Sequence, residues 1–292
     1  MKTLQLPGFL PAGPHSAAPS GRPTPTLQHQ VAEALRVLHR VSPALSGAGW
    51  LHVGLGVLAL GLLPLDHRHV TGTLVWLKPL KFCISVTVYL WTLGWLLADL
   101  PAAAQRAGRH IGRGVALSMV VEIVIVFIQA GRGVTSHYNA SSPLNGALFG
   151  LMGLFILLNT VLTAWALWLV WRHRPHGPAG YVWGVRLGVL VFWIGSVLGG
   201  FMIHHAGHTV GAPDGGPGLP GLGWSTRAGD VRIAHFLGLH ALQVLPLLGW
   251  ALSRWVPRRA ALLTGVGAAL YAAAVAALLA QALAGWPLWA AG

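Results

Sequence analysis

The stretch 111–131, IGRGVALSMVVEIVIVFIQAG, carries only two charged residues, Arg113 near its start and Glu122 alone among branched apolar side chains. As a helix rising about 1.5 Å per residue it is about 30 Å long, the thickness of a bilayer's hydrocarbon core. On the same ruler, apolar runs recur at 44–65, 74–97, 144–171, 182–205, 231–253 and 260–284. Polar, basic or proline-containing breaks separate them, among them Asp66-His67-Arg68-His69, Arg172-His173-Arg174-Pro175 and Pro257-Arg258-Arg259. The pattern predicts an all-α polytopic transmembrane helix bundle of about seven spans, with no convincing internal repeat.

Composition points the same way. The chain is 54% hydrophobic and 9% charged, with a mean hydropathy of +0.64. A water-exposed surface usually needs about 25% charged residues, so lipid must cover much of this one. The net charge of +13 does not signal nucleic acid, because the basic residues stand in short clusters between apolar runs rather than in a groove with interleaved aromatics. Cys83, the sole cysteine, excludes an intramolecular disulfide and any CxxC metal site.

Residues 1–43 read as a leader to the bundle. Six prolines fall in 1–26 without an apolar core of signal-peptide length, predicting a disordered tail. Leu27, Val31, Leu35 and Leu38 then recur at helical spacing beside Arg36 and Arg40, as in a helix lying on a membrane surface. Residues 44–292 form the transmembrane domain. In this topology 13 of the 19 Lys and Arg fall on the N-terminal side and 6 on the other. The positive-inside rule then makes the N-terminus cytoplasmic and the C-terminus outside. The outer face receives a loop at 206–230 with eight glycines and three prolines. Its length suits a lid or binding loop, and Trp224 with the neighbouring leucines predicts that it folds back onto the bundle.

An ionisable residue inside a span is expensive and marks function, and Glu122 is the only acidic one. Ser118, Glu122 and Gln129 share a helix stripe, as do Lys78, Lys81, Ser85 and Thr92 on the second span. A buried Lys81–Glu122 pair is expected, as a structural bridge or as a protonatable switch. On the sixth span Arg232, His235, His240 and Gln243 fit within an arc of about 140°, with Arg227 and Asp230 just before it and Pro246 expected to bend the helix. His204 and His208 are four apart at the end of the fifth span. These, with His235 or His240 from the next helix, are the candidate metal ligands, although no HExxH or CxxC signature supports them. Arg132 and His137, after the third span, could join the same outer pocket. Asn159, Thr163, Gly195, Gly199 and Gly200 read as packing residues.

The run 208–243, HTVGAPDGGPGLPGLGWSTRAGDVRIAHFLGLHALQ, together with Trp76–Phe82 (WLKPLKF) and the stretch from Glu122 to Asn139, resembles a group of bacterial polytopic integral membrane proteins. That group brings no assigned activity, so the resemblance implies a bacterial inner-membrane protein and no mechanism.

Three functions follow as expectations. The leading one is a redox or metal-binding protein, with haem b or a transition metal held by His204, His208, His235 and His240. Arg132, His137, Arg227 and Gln243 would help to bind the cofactor. The second is a membrane-embedded enzyme on a lipid, quinone or other small-molecule substrate, using Glu122, Asp230 and Arg232 with an outer-face histidine as base. The third is a proton-coupled transporter or sensor built on Lys81 and Glu122.

Overall fold

A computed structural model describes residues 26–290, so the proline-rich tail lies outside the described residues. Helix α1 (Leu27–Val41) is followed by seven helices long and apolar enough to cross a membrane: α2 (Pro43–Leu62), α3 (Leu77–Ala98), α4 (Gln105–Gly131), α5 (Pro143–Arg172), α6 (Ala179–His204), α7 (Val231–Trp255) and α8 (Ala260–Leu283). The chain is an all-α, multi-pass membrane protein.

Local chemistry explains several boundaries. The Ser142 hydroxyl caps α5 by accepting from the Asn145 N–H at 3.2 Å, with Pro143 in the first turn. Asp230 caps α7, accepting from the Arg232 N–H at 3.1 Å. The second span starts three residues later than the hydropathy suggested, because β1 (His69–Val70) and β2 (Thr73–Leu74) pair as a small hairpin. Helix α4 begins earlier, at Gln105, taking in the basic turn before the apolar core. Pro246 stands inside α7 without ending it.

Helix α4 is the most enclosed span, 56% of its apolar window being buried against 17% for α5 and α8. Glu122 therefore sits on the central helix. Leu154, Leu157, Val161 and Trp168 of α5 and Leu262 and Leu270 of α8 face outward, as lipid contact requires. Part of α1 is docked on the bundle, where Leu38 is fully buried beside Gly94 of α3, while Leu27 and Val31 are exposed.

Helices α6 and α7 pack along a seam of glycines. A Cβ on Gly195 would lie 2.7 Å from the Gly238 carbonyl carbon, and one on Gly188 would lie 2.8 Å from the Ala241 oxygen. Such backbone contact needs small residues on both sides. Gly200, also expected to pack closely, faces open space.

At one end of the bundle lie the 62–77 and 131–143 connections, the glycine-rich loop and the C-terminal segment. There β3 (Thr209–Val210) pairs with β4 (Gly229–Asp230) and closes the loop at its base. The loop does fold back: Lys81 donates to the Gly221 and Leu222 carbonyls, and Trp224 packs on Phe236 of α7 and stacks parallel to Trp289. At the opposite end Asp99 ties two connections together. The Tyr181 hydroxyl donates to its carboxyl and the His176 N–H to its carbonyl. Burial raises the Asp99 carboxyl to about 6, against the pull of Tyr181.

Candidate functional site

Glu122 is 3% exposed, nine residues from the end of α4, or about 14 Å below it at 1.5 Å per residue. Its Oε1 lies 3.4 Å from His137 Nε2, within ion-pair reach and a little longer than the usual N–H···O hydrogen bond. The other nitrogen of that ring, Nδ1, is 3.1 Å from Lys78 Nζ and 3.1 Å from Ser136 Oγ. An ammonium can only donate, so Nδ1 is the acceptor and the ring hydrogen of neutral His137 sits on Nε2, pointing to the carboxylate. The three groups thus form one row: Lys78 donates to His137 Nδ1, and His137 Nε2 faces the Glu122 carboxyl. Phe82 and Phe149 flank the imidazole and Lys78 lies 5.7 Å over the Phe82 ring, so apolar walls enclose the row. Burial, and then the Lys78 charge, push the His137 imidazole below its ordinary value, while Glu122 pulls the other way.

Above this row the loop is clamped by charge. Asp230, whose side chain is fully buried, accepts from Arg232 Nε at 2.9 Å and Nη2 at 2.5 Å, and from the Ser225 N–H at 2.8 Å. Arg232 Nη2 also donates to the Gly223 carbonyl at 2.5 Å. Burial would raise the Asp230 carboxyl, but the hydrogen bonds and charge of Arg232 and the Ser225 N–H hold it below the usual range. His208 Nδ1 is 3.0 Å from Asp214 Oδ1, and Asp214 also accepts from the Thr209 N–H at 2.9 Å. Burial and the Arg232 charge depress the His208 imidazole, outweighing Asp214.

The expected sites are redistributed. The four candidate metal ligands have separate surroundings. His204 is exposed. His208 serves the loop turn through Asp214. His235 Nδ1 donates to the Gly195 carbonyl at 2.7 Å across the α6–α7 seam, and His240 Nδ1 donates to Phe236 of its own helix at 2.9 Å. Among the described residues no three His, Cys, Asp or Glu side chains form a group that could hold a metal ion. Where α6 and α7 touch along the glycine seam, His235 is occupied by the Gly195 carbonyl of the facing helix.

Other candidates have structural partners. Arg132 donates to Gln129 Oε1 at 2.6 Å and Asn145 Oδ1 at 2.7 Å, tying the end of α4 to the start of α5. Gln243 donates to Thr92 Oγ1 at 3.2 Å, linking α7 to α3, and Arg227 is exposed on the loop. Ser225 Oγ accepts from the backbone N–H groups of Arg227 and Ala228, the role of a turn residue. The expected Lys81–Glu122 pair is replaced. Lys81 is taken by the loop carbonyls, and Lys78, one turn nearer the helix end, joins Glu122 through His137. Sequence reasoning placed His137 with a cofactor and passed over Ser136, Asp214 and His52. An ionisable residue within a span, the signal that found Glu122, would also have found His52. Comparison of the chain with protein-family models, curated proteins and solved structures gives no match.

Proposed function

We propose that this membrane protein works by exchanging protons between the loop end of its bundle and the interior of α4, as a proton-coupled transporter or sensor. The observation that carries the reading is the row Lys78–His137–Glu122, which leads from the loop end to a buried carboxyl on the most enclosed helix. A carboxyl in such surroundings is costly as a structural element alone. Imidazole is the side chain best suited to pass a proton at physiological pH, since it can accept at one nitrogen and donate at the other. The excess of basic residues at the opposite end supports an orientation with the glycine-rich loop outside a bacterial inner membrane.

The test is infrared difference spectroscopy on protein in lipid, between mildly acidic and mildly alkaline pH. A protonated-carboxyl band that appears on acidification, is absent in Glu122→Gln and shifts its midpoint in His137→Gln is the expected result. A spectrum unchanged in Glu122→Gln would overturn the reading. Proteoliposomes loaded with a pH-sensitive dye then separate transporter from sensor, because only a transporter dissipates an imposed pH gradient.

A further inference from the structure

Among the described residues, two buried atoms at one depth in the bundle lack hydrogen-bond partners: Glu122 Oε2 on α4 and His52 Nε2 on α2. Both residues are enclosed, His52 at 0% exposure and Glu122 at 3%. Their depths agree. Leu62, at the end of α2, packs in the same cluster as Ala130, at the end of α4. His52 lies ten residues below Leu62 and Glu122 eight below Ala130, or about 15 Å and 12 Å at the helical rise. The His52 ring also lies beside the backbone of Met119, which precedes Glu122 by three residues and so shares its helix face.

Hydrogen-bond chemistry fixes what each atom needs. His52 Nδ1 is 2.7 Å from the Ala48 carbonyl, which only accepts, so Nδ1 carries the hydrogen and Nε2 presents a bare lone pair. Glu122 Oε1 faces His137 Nε2 at 3.4 Å, which leaves Oε2 as an acceptor too. Two acceptors cannot satisfy each other. A water molecule, with two hydrogens to give, satisfies both, and buried polar groups left unpaired in the protein are commonly paired in this way.

We propose that His52 and Glu122 form a proton-storage site: a bound water donates to Glu122 Oε2 and His52 Nε2, and an added proton is held between the two side chains. The site extends the proposed relay and rests on that reading for its role, while its geometry stands independently. The groups that face it are His52 from α2, Glu122 from α4, Lys78 from α3 and His137 from the 131–143 connection. In the neutral state His52 keeps its hydrogen on Nδ1. The added proton arrives through His137, and whichever atom holds it, Oε2 or Nε2, donates to the water, which donates in turn to the other.

Solid-state nitrogen NMR on histidine-labelled protein in bilayers tests this, with the His52 signals assigned by their loss in His52→Gln. The expected result in the unaltered protein is an Nδ1–H tautomer whose Nε2 shows magnetisation transfer from water and shifts in Glu122→Gln, an isosteric change. An Nε2–H tautomer, or an Nε2 that receives nothing from water and ignores Glu122→Gln, overturns the site. If His52 passes but no carboxyl band titrates in the infrared, the relay fails and the water site stands. If the band titrates but His52 fails, the relay ends at Glu122.

Discussion

The loop end of the bundle and the α6–α7 seam both drew attention through their histidines, and they solve opposite problems. At the seam, Gly188, Gly195 and Gly238 bring two backbones into contact, and His235 has nothing to do but donate to a carbonyl across it. At the loop end, the 131–143 connection brings His137 in between Lys78 of α3 and Glu122 of α4. Of the histidines gathered near one face, His137 is thus placed to link a lysine to a buried carboxyl, whereas His235 serves the packing of two helices.

Three experiments would break or sharpen that contrast. The largest effect is expected at the loop clamp. Asp230→Ala strands Arg232 beside a buried position, and breaking such a pair costs about 3 kcal/mol, at the lower end of the range because Arg232 keeps some contact with solvent. Hydrogen exchange should report that loss as easier opening of the loop at 206–230 and of the first turn of α7, which Asp230 caps, with the other helices unaffected. At the seam, Gly195→Val should cost about 1–3 kcal/mol by overpacking and lower the thermal unfolding midpoint, whereas Gly200→Val, facing open space, should stay within about 0.5 kcal/mol of the parent. Equal midpoints for the two variants would mean that α6 and α7 are not in backbone contact.

The smallest effect concerns pH. His208 is depressed in the folded loop, so between the folded value and the ordinary histidine value of about 6.5 the unfolded loop binds more protons. The loop should be fully stable above that ordinary value and lose stability as pH falls through the window, by at most about tenfold in opening per pH unit. Exchange rates corrected for intrinsic chemistry should show this dependence, and His208→Gln should flatten it.

Much of this architecture was legible beforehand. Seven apolar runs gave seven spans with boundaries within a few residues, except at Gln105, where a basic turn hid the first part of α4. Glu122 stood out because an isolated carboxyl in an apolar run has few structural explanations. Its partner was missed by one turn. Lys78 and Lys81 share a stripe, so periodicity could not choose between them, and the choice was made by loop carbonyls about 140 residues away in sequence. The separate surroundings of the four histidines were hidden for a related reason. The glycines of α6 were visible as packing residues, but a single chain read linearly does not say which helix they meet or how closely.

The parallel stack of Trp224 on Trp289 fastens the segment after α8 to the glycine-rich loop. A reporter fused after Trp289, or a protease cut just before it, would thus pull on the cover of the site from a point far away in the chain. That makes the carboxyl tail a natural handle for following the loop by fluorescence, and an awkward place for a purification tag.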